Sequence, residues 1–308
     1  MIRQRQHNIE LIAQQDFDLV VIGGGITGAG IALAASRQAW KVLIIDKGDF
    51  SSGTSSKSAK MVHGGLRYLE NLEFKLVGEA LHEREHLLKE YPHLVHPQPF
   101  FMPIYNSRIE LMKLRLGLTS YDLLTGTSSL PKFRQVSKKE IKQLYPEIKT
   151  DKIVGGFIYY DAKTNDSRLT NEVIQQAVEL GAVAMNYYEL TDIHISNSSV
   201  DYITCVDQLT GDTHIVKSKL FVSATGIWTG DVLRKLDASD KKKYMMPSKG
   251  IHIAVSADLL PKDVVWVLPS SSKDGRRIWC MPWENNINII GSTDTDYRAD
   301  KDNIPVLR

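Results

Sequence analysis

The chain has 308 residues, 43% hydrophobic and 24% charged, with a net charge of +2 at pH 7. These are the values of an ordinary globular protein of one large domain or two, and the weak charge carries no polyanion signature, so nucleic acid is not an implied partner. Cys205 and Cys280 make neither a disulfide framework nor a metal site and fit a reducing compartment, and no apolar run approaches the roughly 20 residues that span a bilayer.

Residues 1–15 are polar and lack the apolar core of a signal peptide. They read as a helical arm whose Ile9, Leu11 and Ile12 touch either their own domain, the plainer reading, or a membrane surface or partner subunit. The most informative stretch follows. Residues 19–22 are an unbroken apolar run, the pattern of a parallel strand buried on both faces. Gly23, Gly25 and Gly28 then form a G-x-G-x-x-G turn, residues 26–39 read as a small-residue helix, and residues 40–45 as a second buried strand ending on Asp46. Gly23 permits the tight turn, Gly25 lets a pyrophosphate approach the backbone, and Gly28 lets helix and strand approach each other. The helix N-terminus favours phosphate, and Asp46 is placed to accept from ribose hydroxyls.

Residues 47–70 hold a polar loop with Thr54, Ser55 and Ser56, too hydrophilic for a core and rich in phosphate-directed donors. His63-Gly64-Gly65-Leu66-Arg67-Tyr68 places two glycines beside a cation. Such glycines let the backbone lie against something flat, and the arginine can clamp a carboxylate or phosphate. A plain turn and a surface salt bridge are the simpler alternatives. Residues 74–91 read as a helix stopped by Pro92, with His82 and His86 on its surface rather than on a metal, and no metal site is expected. Residues 109–124 read as a second helix, packed over the domain of the glycine turn or showing a basic face to anionic lipid through Lys113 and Arg115.

Ser137 and Glu140 form a capping box, residues 153–160 a strand, and residues 166–180 a helix capped by Gly181. Strands are expected over 182–188, 200–206 and 213–216, the last two as a hairpin around Gly211, and over 220–225. That last strand runs into Ala224, Gly226 and Trp228. Further strands are expected over 251–255, 264–268, 276–281 and 286–290, forming a mixed or antiparallel sheet.

The glycine turn, Thr54-Ser55-Ser56 and, above all, residues 60–69 (KMVHGGLRYL) resemble the FAD-dependent glycerol-3-phosphate dehydrogenases of aerobic respiration, over about residues 16–297. The related glycerol-3-phosphate oxidases share these motifs. The resemblance implies an α/β fold, with a Rossmann-like FAD-binding domain of the glutathione-reductase/D-amino-acid-oxidase type and a second β-rich substrate domain. It implies FAD-binding segments at 1–75 and 161–235, a helical and substrate-domain segment at 76–160, a substrate-domain sheet at 236–290, and a return toward the FAD domain at 291–308. It also implies FAD contacts from Gly23, Gly25, Gly28, Asp46, Thr54, Ser55, Ser56, His63, Gly64, Gly65 and Leu66. Ala224, Gly226 and Trp228 match a second dinucleotide motif, although Ile227 stands where proline is common.

The implied reaction oxidises sn-glycerol 3-phosphate to dihydroxyacetone phosphate, with hydride passing to the flavin and electrons to a quinone. His252 is the implied base and Arg67 the implied phosphate cation, with Tyr68 beside it; Arg67, Tyr68 and His252 form the substrate set. An oxidase that makes hydrogen peroxide, a non-catalytic FAD-binding module and a nicotinamide dehydrogenase are the alternatives. A cytoplasmic location, peripheral at the inner face of the membrane, and a homodimer are further implications. The resembling enzymes continue past the Thr293-Asp294 motif, so an N-terminal portion with an incomplete phosphate pocket and weakened FAD binding is expected.

Overall fold

The structure, a computed structural model, describes residues 2–126, 128–146, 148–237, 245–259, 263–270 and 277–305. In chain order the elements begin with α1 (Ile2–Gln14), β1 (Phe17–Ile22), α2 (Ile26–Ser36), β2 (Val42–Ile45) and β3 (Met61–Val62). There follow α3 (Phe74–Glu90), β4 (Val95–Tyr105), α4 (Arg108–Thr125), β5 (Arg134–Val136), α5 (Lys138–Leu144) and β6 (Ile153–Thr164). Next come α6 (Asp166–Glu179), β7 (Val183–Met185), β8 (Tyr188–Ser196), β9 (Ser199–Asp207), β10 (Thr213–Ser223) and α7 (Thr229–Leu236). The chain closes with β11 (Ser248–Lys249), β12 (His252–Ser256), β13 (Val265–Pro269), β14 (Arg277–Trp283), β15 (Ile287–Gly291) and β16 (Thr295–Asp296). Arg276, the expected start of one strand, lies outside the described residues.

The chain divides into two compact units, Met1–Ser58 with Asp166–Ser248 and Asp296–Arg308, and Ala59–Asn165 with Lys249–Thr295. The first division falls at 58/59, ahead of the 75/76 drawn from sequence, because β3 pairs with Lys163 and Ala162 of β6 and so joins the second unit's sheet.

The first unit is built on a sheet of order β7-β2-β1-β10-β9-β8. β7, β2, β1 and β10 run parallel, with Leu19 opposite both Val42 and Leu220. Val20, Val21, Leu43 and Ile44 have no exposed surface, as an apolar run buried on both faces requires. β10 is one strand, not the expected two. Its first half pairs antiparallel with β9 and its second half parallel with β1, so one extended segment serves two neighbours. Conversely, the strand expected over 182–188 is two, β7 and β8, because Tyr187 takes a left-handed φ of 49° and turns the chain. α2 ends at Ser36, short of 39, since Ala39 also adopts a positive φ of 59°. The arm α1 packs on its own unit. Ile12 is buried in the core, and Arg5 donates to the fully buried Asp207 at 2.7 Å and to the Asn186 carbonyl at 2.9 Å.

The second unit carries a mixed sheet of order β12-β15-β14-β13-β4-β6-β3, with β5 also on β6. Its pairings are antiparallel except β13 with β4. One face buries Phe100, Met102, Phe157, Tyr159 and Met281, and the other Phe101, Ile158, Trp266 and Cys280, as the alternation of a strand dictates. α3 and α4 lie against each other, with Val77, Leu81 and Tyr121 in one apolar cluster. No helix among the described residues is long and apolar enough to cross a membrane.

Candidate functional site

The glycine turn in the first unit is set by its neighbours' backbone. Gly23 sits at φ +113°, and a Cβ there would lie 2.5 Å from the Ala224 carbonyl oxygen. A Cβ on Gly28 would lie 1.9 Å from the Gly23 carbonyl oxygen. The first motif and the Ala224 segment are thus in contact, held by the Ala224 N–H donating to the Ile22 carbonyl at 2.8 Å.

Gly25 is the N-cap of α2 and adds no side-chain cap. Instead the Ile26 N–H donates to Ser55 Oγ at 2.9 Å, which brings the polar loop onto the helix start. The N–H groups of Thr27 and Gly28 belong to the first helical turn, which lacks intrahelical acceptors and faces an anion favourably. Asp46 closes the turn, accepting from the Gly24 N–H at 2.7 Å and the Gly48 N–H at 2.9 Å. Burial raises its carboxyl above the usual carboxylate range, and the two backbone N–H groups oppose that. Each oxygen keeps a lone pair for a hydroxyl.

Of the remaining first-unit candidates, Thr54 is exposed, and the Ser56 hydroxyl donates to the Gly53 carbonyl at 3.3 Å. Gly226 has φ +53° and opens a 3-10 turn ending at Trp228. The Trp228 indole faces Gly53, where a Cβ would approach to 3.2 Å, lies under Lys47 Nζ at 4.5 Å, and donates to Asp302 at 3.1 Å. Gly23, Gly25, Gly28, Asp46, Ser55 and Ala224 therefore cluster at one turn, with Trp228 packed against the loop that follows β2. This arrangement fits a dinucleotide: a side-chain-free helix start, a carboxylate at the end of the second strand, and two glycines, Gly23 and Gly28, where a Cβ would strike backbone. Gly28→Ala is expected to yield protein depleted of FAD and destabilised by about 1–3 kcal/mol through overpacking. Flavin content after purification and the thermal midpoint measure it, and a variant with full flavin would show that the turn yields.

In the second unit, His63, Gly64, Gly65 and Leu66 continue from β3. The His63 ring meets Trp279 edge-on at 5.4 Å. Burial lowers its pKa, with Asp161 pulling the other way. Gly65 adopts φ +71°, and Arg67 and Tyr68 are exposed on the 3-10 turn over Leu66–Asn71. Among the described residues the Arg67 guanidinium has no hydrogen bond or ion pair, as an anion-binding side chain requires. Gly64 has a second explanation beyond a flat ligand: a Cβ there would lie 2.5 Å from Leu81 and 2.7 Å from the Tyr121 hydroxyl.

His252 opens β12 opposite Gly291, with Trp279 on the other side of Gly291. Its ring lies over Gly291, where a Cβ would come within 2.4 Å of His252 Cδ2. His252 Nε2 is buried without a partner. Burial lowers the His252 pKa, and the positive charge of Lys60 lowers it further, so the ring is neutral at neutral pH. His63 and His252 thus share the Trp279 face of one sheet.

The sequence reading missed four residues. Gly24 is sterically required, since a Cβ would lie 2.3 Å from Phe50. Arg84, Tyr121 and Asp161 form a buried network: Arg84 donates to Asp161 at 2.6 Å, the Tyr121 hydroxyl donates to Asp161 at 2.8 Å, and Gly64 N–H donates to the Tyr121 oxygen at 2.7 Å. Burial disfavours the Arg84 cation, but Asp161 outweighs it and holds the guanidinium charged. Burial and then the Asp161 charge push the Tyr121 phenol well up, so it stays a donor. The signal was present, because Arg84 follows Val77 and Leu81 at helical spacing and so lies on the buried face.

A parallel sheet carrying a glycine turn, and a mixed sheet carrying a histidine face, are the two parts of a flavin-dependent oxidoreductase fold. Over residues 18–307 the chain matches the FAD dependent oxidoreductase family, and it belongs to that family, whose cofactor is FAD. It is 38% identical over 293 residues to the aerobic glycerol-3-phosphate dehydrogenase of Staphylococcus haemolyticus, covering 94% of this chain and 52% of that protein. It is 34% identical over 301 residues to the alpha-glycerophosphate oxidase of Streptococcus pyogenes, covering 96% of this chain and 49% of that protein. The crystal structure of glycerol-3-phosphate dehydrogenase from Bacillus halodurans, complexed with FAD, superposes with a TM-score of 0.77 at 31% identity, over 98% of this chain and 52% of that one. The chain spans about half the length of these relatives.

Proposed function

We propose that the chain oxidises sn-glycerol 3-phosphate to dihydroxyacetone phosphate with FAD, and that the electrons pass to a quinone. The observation that carries this reading is the neutral-shifted His252, whose buried Nε2 has no partner, on the sheet face that also bears His63 and Trp279. Bound FAD supplies the hydride acceptor at N5. His252 takes the proton of the substrate's secondary hydroxyl as the C–H hydride leaves, so the carbon loses two electrons and one proton stays on the ring. Arg67 holds the phosphate by charge-assisted hydrogen bonds, with Tyr68 beside it. His63, Gly64, Gly65 and Leu66 are assigned to binding the flavin. Gly23, Gly25, Gly28, Asp46, Thr54, Ser55, Ser56, Ala224, Gly226 and Trp228 hold the dinucleotide.

α4 supports a peripheral membrane contact. Ile109, Met112, Leu116 and Leu123 are each at least 70% exposed and fall on one stripe, beside the exposed Lys113 and Arg115. A homodimer through the same stripe is the competing use, and vesicle flotation set against sedimentation separates the two.

The test is anaerobic addition of sn-glycerol 3-phosphate to FAD-loaded protein. Bleaching of the flavin absorbance is expected, while an unchanged spectrum with FAD bound would remove this substrate. The 34% identical oxidase favours a second acceptor, oxygen. Stoichiometric peroxide without added quinone or dye would select it.

A further inference from the structure

The buried network under Gly64 joins side chains of three elements to one loop amide. Asp161 comes from β6 and is 3% exposed, Arg84 comes from α3 and is 2% exposed, and Tyr121 comes from α4 and is also 2% exposed. Each link has a defined direction. Arg84 is always a cation and donates to Asp161 at 2.6 Å, which anchors the carboxylate. Asp161 has both oxygens within reach of the Tyr121 hydroxyl, at 2.8 and 3.0 Å, so the phenolic proton is spent on the carboxylate. The phenolic oxygen is thereby left as an acceptor, and the Gly64 N–H fills it at 2.7 Å.

Packing enforces the same position. Leu81 and Tyr121 close over the space where a Gly64 side chain would be, so the backbone is pinned by sterics as well as by the hydrogen bond. Gly64 is flanked by the groups with candidate roles, His63 against Trp279 on one side and Gly65 leading to Arg67 on the other.

We propose that Tyr121 is a positioning residue for the His63–Arg67 segment: oriented by the Arg84–Asp161 ion pair, it holds the Gly64 amide and so sets where His63 and Arg67 stand relative to bound flavin and substrate. This assignment rests on the reading that the segment faces the flavin. The network's side chains are buried beneath the segment, and the proposed role is to act through it. The buried charge pair thereby adds rigidity to a short stretch that holds two adjacent glycines.

The experiment compares wild type with Tyr121→Phe, using Tyr188→Phe as the control. Tyr188 is a fully buried tyrosine of the first unit whose hydroxyl has no partner, so it loses the same atom without the hydrogen bond. Amide hydrogen exchange and FAD affinity are both read, and neither requires turnover. The proposal expects the wild-type Gly64 amide to be protected. It expects Tyr121→Phe to exchange about tenfold faster across 63–67, with β4 and β6 unchanged, and to bind FAD about tenfold more weakly with a shifted visible spectrum. An unprotected Gly64 amide in wild type overturns the proposal without any variant. So does faster exchange with FAD affinity and spectrum unchanged, which would make the network structural only. If wild type binds FAD but is not bleached by sn-glycerol 3-phosphate, the substrate reading fails, while exchange and flavin affinity still decide the role of Tyr121.

Discussion

His252→Gln is expected to lower kcat for alcohol oxidation by about 10²–10⁴-fold, with a much smaller change in KM. Glutamine fills similar space over Gly291 and still offers polar atoms, but it cannot accept the hydroxyl proton. The pH profile adds a signed expectation. Burial and the Lys60 charge both lower the His252 pKa from its ordinary 6.5. The neutral, proton-accepting form therefore persists into mildly acidic solution. The acidic limb of kcat/KM should lie below pH 6.5 and rise with pH, and it should move to higher pH in Lys60→Met, where the repelling cation is gone. Steady-state kinetics from acidic to neutral pH decide both points. A His252→Gln enzyme within about threefold of wild type would place the base elsewhere.

Arg84→Ala is expected to cost about 3–5 kcal/mol of unfolding free energy, the largest stability effect foreseen for a single side chain here. The loss exceeds that of a surface ion pair because both partners are almost wholly buried, at 2% and 4% side-chain exposure. Burial already pushes the Asp161 pKa up, and removing the cation takes away the strongest group opposing that, leaving a buried carboxyl whose remaining hydrogen-bond donor is the Tyr121 hydroxyl. An isosteric change such as Arg84→Met should recover packing but not the charge, and so should remain well below wild type. Lys75→Ala is the matched control, since the Lys75–Glu79 pair is 3.9 Å apart and exposed. Its effect should be within about 0.5 kcal/mol. Denaturant midpoints for the three variants measure this, and an Arg84→Ala midpoint equal to that of wild type would mean that the pair contributes no net stability.

Legibility differed between the two units for a physical reason. The first unit's site is local in sequence. Strand, glycine turn, helix and second strand follow within about thirty residues, and each constraint is written in residue type: no side chain at Gly23, Gly25 and Gly28, an acid at Asp46, small residues along α2. Even there the sequence could not say that Ser55 Oγ would take the Ile26 N–H, because a polar loop shows its donors but not its direction. The second unit's site is assembled from distant segments. The HGGLRYL run stood out as a motif, yet what holds it comes from α3, α4 and β6, up to 97 positions further on at Asp161. His252 was reached through a family resemblance, and only the sheet register placed it across Gly291 from Trp279.

What the sequence determined by itself was the type of the helices and strands it marked, the glycine turn and the chemistry on offer, because periodicity and glycine positions act over a few residues; it carried no expectation for β4, whose prolines at 97, 99 and 103 mask the strand pattern. Strand limits were less secure where a strand changed partner, as in β10, or bent at one positive φ, as between β7 and β8. Only the tertiary structure decided that Arg84 is interior, that Tyr121 points at a loop amide, and that His252 is both buried and unpartnered. Burial, and with it the direction in which the groups of His63, Arg84, Tyr121, Asp161 and His252 shift, depends on which surfaces meet, and no short stretch of sequence contains both halves of such a contact.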